Sequence, residues 1–273
     1  MTEKRTAEAG REAARVMRET GLMPLLEHIG ELRRRLIVVL VVLIAGLAVG
    51  LVCADPAYEY MMEQEPVSGM KLHAFSLWDG IGLYMKFALV IALVPVIPVA
   101  FYQLWAFVKP ALGPRERRAT LAYVPFALLM FLVGLAFSYF VVFPLAFHFT
   151  LSVARHLELQ ETFGIMQYFS FLFSIVIPIS LLFELPMVLM FLTRLRIVNP
   201  HRLRKMRRLA YFIMVFLGVL VTPPDFISDL LVAVPLILLY EFSVLLSTSV
   251  YRRQQEEQRR WEEEFDAASG SPS

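Results

Sequence analysis

Long stretches without a single charged side chain set the limits on what this sequence can fold into. Residues 36–54 (LIVVLVVLIAGLAVGLVCA), 87–108 and 119–147 contain no Asp, Glu, Lys or Arg. A helix rises 1.5 Å per residue, so roughly 20 apolar residues cross the ~30 Å hydrocarbon core of a bilayer. Such runs in lipid must close their own backbone hydrogen bonds, which a helix does. The expectation is an all-α polytopic membrane protein.

Composition agrees: 58% of residues are hydrophobic and 18% charged, against about 45–50% and about 25% in soluble domains. The first run follows ELRRRL and has the basic flank of a signal peptide. It exceeds the usual 7–15 residue apolar region and lacks a small-x-small cleavage site, so it reads as a retained anchor. Cys53 is the single cysteine, which leaves neither an internal disulfide nor a cysteine-built metal cluster.

Three further spans complete the pattern. The fourth covers residues 166–193 and contains Glu184. The fifth, 209–224, has 16 residues, and the sixth runs from 230 to about 251 and contains Glu241. The fifth and sixth are joined by TPPDFISD, whose two prolines and two aspartates mark an exposed turn. Prolines 95, 98, 125, 178, 186 and 235 lie within or beside spans and predict kinked helices in a tilted, concave bundle. Basic residues are retained on the cytoplasmic side. Eight precede the first span, four lie in KPALGPRERR, seven in 194–208 and four in the tail, leaving only Lys71, Lys86 and Arg155 elsewhere. Six spans with both termini cytoplasmic satisfy that count. The pI near 8.7 then reflects topology, and no nucleic-acid partner is read from it. Residues 1–24 form a polar cytoplasmic extension, 25–251 the membrane domain and 252–273 a charged cytoplasmic tail.

Certain side chains stand out. In LLEHIGELRRRL, Glu27 and Glu31 share a helix face, and Glu31 lies four residues before Arg35. A solvated Glu-Arg face worth a few tenths of a kcal/mol accounts for them, as does an acidic spot suited to a cationic partner. Trp105 and Phe107 in YQLWAFVKPALGPRERR fit an interfacial aromatic belt. Glu116, among Arg115, Arg117 and Arg118, can be neutralised locally or can bind a cation. Glu184 differs from all of these. It lies ten residues from Arg194, roughly 15 Å into the membrane. An acid there costs on the order of 2.5–3.5 kcal/mol, so it must face protein or water. Thr222 and, less directly, Asp229 are its candidate partners within the chain.

No G-x-x-x-x-G-K-[ST], H-E-x-x-H or G-x-S-x-G motif occurs, and the five histidines are scattered. No catalytic residue, metal site or cofactor is assigned. The residues alone leave open a receptor for cationic peptides, a proton-coupled small-solute carrier using Glu184 and, with less support, an intramembrane hydrolase.

From Leu25 to Tyr251 the chain resembles the TatC family, the multispanning receptor subunit of the twin-arginine protein translocase. LLEHIGELRRRL, YQLWAFVKPALGPRERR, FSYFVVFPLAF, FELPMVL, TPPDFISD and AVPLILLYE carry the likeness, in order. It implies six tilted helices shaped like a cupped hand in the cytoplasmic (inner) membrane, and a receptor that is not an enzyme. It also implies docking of Arg-Arg signal peptides of folded proteins, transport driven by the proton-motive force, and single-span TatA and TatB partners beside a homo-oligomeric receptor. Mapped residue by residue, the signal-binding positions are Glu31, Glu116 and Phe107. The partner-contact positions are Glu184, Thr222 and Asp225. Gly113-Pro114 replaces a common Tyr-Lys pair, and Asp229 replaces a common Gln, adding a protonatable group to the contact surface.

Overall fold

The computed structural model describes residues 22–64, 72–109, 121, 123–158, 162–221 and 226–269. Among these residues the chain is helical apart from short connections, and the only pairing of extended backbone is a bridge between His73 and Gly164. The helices are α1 (Leu22–Val52), α2 (Ala54–Glu63), α3 (Asp79–Val108), α4 (Tyr123–Phe137), α5 (Phe143–His156), α6 (Ile165–Leu182), α7 (Leu185–Arg194), α8 (Pro200–Lys205), α9 (Arg207–Val221) and α10 (Phe226–Ser269). A single π-helical turn, Ser138–Val142, joins α4 to α5.

Five stretches of described helix are long and apolar enough to cross a bilayer: Gly30–Val52, Asp79–Val108, Tyr123–His156, Ile165–Arg194 and Val232–Arg260. They take in the expected spans one to four and six. The expected fifth span coincides with α9, whose 15 residues extend only roughly 22 Å. Helix α10 continues without a break past residue 251 to Ser269, because the tail is built from Glu, Gln, Arg and Ala, which favour helix.

Antiparallel packing of α1 on α3 rests on small residues. A Cβ at Gly50 would stand 2.6 Å from the Ala88 carbonyl oxygen and 2.7 Å from its Cα. One at Gly46 would stand 3.1 Å from Ala92 Cα. The two backbones therefore touch, as helices in lipid do where small residues face one another. Around α6 the same device recurs: Gly134 lies against Phe183 and Ser180, and the Ser138 and Ser180 hydroxyls are 3.5 Å apart.

Of the six prolines expected to kink a span, Pro95, Pro98, Pro178 and Pro235 are carried inside continuous helices. Pro125 is likewise in helical backbone, within α4. Only Pro186 coincides with an interruption, the turn Phe183–Glu184 that divides the fourth span into α6 and α7. The π turn, which sequence reasoning did not anticipate, lies just before Pro144 and re-registers the helix around it.

The main core is aromatic. Phe87, Phe143, Phe147, Tyr168, Phe169 and Phe173 are all buried. Their rings meet at centroid separations such as 5.2 Å for Phe87–Phe169 and 5.3 Å for Phe147–Tyr168, within the range where edge-to-face and offset contacts add to burial. A smaller cluster gathers Ile97, Ala127, Phe131, Met187 and Met190. By contrast, α1 exposes Leu36, Val41, Ile44 and Val49, the surface expected of a lipid-facing span.

Hydrogen bonds to the backbone sort the connections into two groups. His73 N–H donates to Phe163 O and Ile165 N–H to His73 O, which ties the α2–α3 connection to the start of α6. Tyr240 donates to Leu203 O at 2.9 Å, and Gln254 Nε2 to Arg194 O at 2.9 Å, which ties the α7–α9 connection to α10.

Candidate functional site

A polar cleft of about 270 Å³ opens beside the first turns of the α1 span, lined by Glu31, Arg34, Arg35, Val38 and Gln103. The helix places Glu31 and Arg35 one turn apart on one face, and the Arg35 guanidinium is ion-paired with the Glu31 carboxylate. Packing on α3 supplies the other contacts: Nη2 donates to Ala106 O at 2.9 Å and Nη1 to Gln103 Oε1 at 3.4 Å. Ala106 belongs to the last turn of α3, where carbonyls lack intrahelical partners and the macrodipole is negative. The residue four further on is Pro110, which has no N–H to offer that carbonyl. A carboxylate, a helix-end carbonyl and an amide oxygen thus converge on one guanidinium. The Glu31 side chain is 36% exposed and that of Arg35 20%.

Phe107 belongs to the same rim. The alignment that sets Gly50 against Ala88, Gly46 against Ala92 and Arg35 against Gln103 puts residue 31 level with residue 107. Phe107 is half-buried, Trp105 is buried, and Lys109 Nζ lies 5.3 Å from the Trp105 ring centroid. Glu116 lies outside the described residues, as do Gly113 and Pro114.

Glu184 occupies the break between α6 and α7, 5% exposed. Its backbone is satisfied, accepting from Val188 N–H at 3.0 Å. Among the described residues neither side-chain oxygen has a hydrogen-bond partner. The partnership with Asp229 considered from the sequence is therefore not formed. Asp229 is half-buried in the first turn of α10, where the chain passes Gly218 of α9, with 3.5 Å from its carbonyl oxygen to a Cβ built there. Thr222 and Asp225 lie outside the described residues.

Sequence reasoning passed over several polar contacts that position these elements. Glu241, read only as an interruption of the last span, accepts from Arg207 at 2.8 Å and from Tyr211, clamping α9 to α10. Thr193 and Ser247 hydroxyls lie 2.6 Å apart, fixing α7 on α10. Asp79 accepts from the Phe75 and Ser76 N–H groups at 2.9 and 3.0 Å, closing the turn that starts α3. The signal available for the first was the placement of one acid in α10 and a basic run ahead of α9. The hydroxyl pair had no sequence signal, since its two residues are 54 apart. Among the described residues no group of three or more His, Cys, Asp or Glu could hold a metal ion.

The family model "TatC: Sec-independent protein translocase protein (TatC)" matches residues 27–235. The Sec-independent protein translocase protein TatC of Halalkalibacterium halodurans is 44% identical, over 91% of this chain and 98% of that one. The TatCy protein of Bacillus subtilis is 44% identical over 85% and 92%. Two crystal structures of the twin-arginine translocase receptor TatC superpose with TM-scores of 0.69 and 0.72, at 29% and 30% identity, covering 82% and 81% of this chain and 99% of each of theirs. The two relatives and both structures are thus matched along nearly their whole length, and the chain belongs to the TatC family of Sec-independent protein translocase proteins.

Proposed function

We propose that this chain is the receptor core of a twin-arginine translocase in the cytoplasmic membrane, binding Arg-Arg signal peptides at the rim that carries Glu31. The observation that carries this is the Glu31 carboxylate, half-exposed in a polar cleft, level with Phe107 and already engaged with a guanidinium. Two adjacent arginines need acceptors set for planar, charge-assisted bonds, which lysine does not match. Glu31 supplies the first acceptor, Glu116 the second, and Phe107 an aromatic surface beside them. Six spans with both termini cytoplasmic complete the topology, α9 serving as the short fifth span through local bilayer thinning.

Glu184, with Thr222, Asp225 and Asp229, forms the surface that recruits TatA- and TatB-like single-span partners and further copies of the receptor. A carboxyl group buried without a partner costs about 1–3 kcal/mol. A neighbouring helix that reaches it through the α6–α7 break recovers that cost. The protein catalyses no covalent step, and transport draws on the proton-motive force. Nothing in the comparisons supports the carrier reading, and no catalytic pair forms around Glu184 among the described residues.

Photocrosslinking tests the assignment. With a probe at position 107, an Arg-Arg signal peptide crosslinks, and the double variant Glu31→Ala, Glu116→Ala loses both crosslinking and export of an Arg-Arg reporter at unchanged protein level. Undiminished crosslinking in the double variant defeats the reading.

A further inference from the structure

The cleft at the rim is not empty of guanidinium: Arg35 fills it. Its Nη2 is shared between Glu31 and the Ala106 carbonyl, and its Nη1 reaches Gln103. The Arg35 Nε is buried without a partner among the described residues, so within them the resident group satisfies its acceptors while leaving one of its own donors unmet. We infer that Arg35 is an internal competitor for the signal-peptide site, a resident guanidinium that an incoming arginine must displace from Glu31. The inference rests on the receptor reading of Glu31 and adds to it a rule for which peptides succeed.

The physical argument is one of exchange. A ligand entering an unoccupied acidic cleft gains the whole of its new contact, so any cation benefits. A ligand that must displace Arg35 gains only the difference between its own contacts and those Arg35 gives up. For a lysine that difference is unfavourable, because a compact ammonium cannot reproduce the planar fork that bridges a carboxylate and a helix-end carbonyl. A single arginine replaces like with like. Two adjacent arginines exchange one guanidinium and bring a second, and the second provides the net gain. Arg35 thereby subtracts the same displacement cost from every ligand, a threshold that the contacts of an arginine pair clear and those of a lysine pair do not. The released Arg35 remains on α1 beside Arg34 in the same cleft, so exchange needs a side-chain rotation and leaves the Gly46 and Gly50 packing of α1 on α3 in place.

The test uses the purified full chain in lipid nanodiscs and two synthetic signal peptides that differ only in Arg-Arg against Lys-Lys. Replacing Arg35 with Gln is expected to tighten the Arg-Arg peptide about three- to tenfold, the scale of one charge-assisted hydrogen bond. It is expected to tighten the Lys-Lys peptide by the same factor, because the cost of displacing Arg35 is common to both. Arg34→Gln removes an equal charge from the same cleft and is expected to tighten both peptides only slightly and equally. An Arg34→Gln effect as large as that of Arg35→Gln reduces the result to general electrostatics and overturns the inference. Weaker or unchanged binding by Arg35→Gln overturns it too. Should Arg35→Gln fail to fold, Arg35→Lys keeps the charge but loses the planar fork that holds Glu31, and it is held to the same direction and the same overturning outcomes. Glu31→Ala separates the two layers: if it leaves peptide affinity intact, the receptor reading itself fails. If it weakens binding while the Arg35 result has the wrong sign, only the competitor role is lost.

Discussion

At the scale of single residues, the two acids Glu31 and Glu184 are opposites. Glu31 is half-exposed and holds a guanidinium, whereas Glu184 is buried and has no hydrogen-bond partner among the described residues. A buried group without a partner destabilises the chain that carries it, and replacing it by an apolar side chain of similar size removes that cost. Glu184→Leu is therefore expected to raise the thermal stability of the isolated chain in detergent by about 1–2 kcal/mol. The same substitution is expected to abolish crosslinking to single-span partners. Glu184→Gln keeps a hydrogen-bonding head and retains most of that crosslinking. Equal loss in both variants would point to titration of the acid and away from hydrogen bonding.

Among elements, the decisive contacts are those where side chains are absent. Gly50 lets α1 lie on the Ala88 backbone. Gly50→Val forces the pair apart and, by the usual cost of overpacking, lowers stability by about 1–3 kcal/mol, measurable as a lower midpoint of thermal unfolding. Because Arg35 and Gln103 lie on the same two helices, the variant also widens the rim cleft, seen as weaker signal-peptide crosslinking at position 107. The end of α5 offers the reverse case. Glu158 follows the C-cap Leu157 with φ of 57°, a left-handed conformation that costs a non-glycine residue roughly 1 kcal/mol. Glu158→Gly is expected to stabilise the chain by somewhat less than that, since glycine also gains freedom in the unfolded state. An unchanged or lower unfolding midpoint contradicts the argument.

For the whole molecule, the open point is topology. The α2–α3 connection is bonded to the start of α6, and the α7–α9 connection to α10. The proposed six-span topology puts the first group outside and the second in the cytoplasm. With Cys53 replaced by Ala, a cysteine at Leu157 is expected to react with a membrane-impermeant maleimide added outside intact spheroplasts. One at Ile197 is expected to react only after lysis. Labelling of both from the same side rules out the six-span arrangement and leaves α9 as a helix that does not cross.

Much of this was legible in the sequence for one reason: a bilayer penalises charge and unpaired backbone so heavily that spans announce themselves by composition. The five long spans and the exceptional position of Glu184 follow from that penalty alone, whereas Phe226–Asp229, expected in the turn before the last span, belong to α10. The tertiary structure decided the rest, because these features depend on residues far apart in the chain. Which proline coincides with a break was not readable from the sequence: among the described helices it is Pro186, beside the turn Phe183–Glu184, and the other five lie in unbroken helix. Glu241 became a clamp only when α9 brought Arg207 and Tyr211 against it. Glu31 and Arg35 could be paired on paper by helical spacing. That their ion pair is completed by Gln103 and by the carbonyl of Ala106, on a helix about 70 residues away, was fixed by the packing of α1 on α3, since spacing along one helix carries no record of what a second helix presents to it.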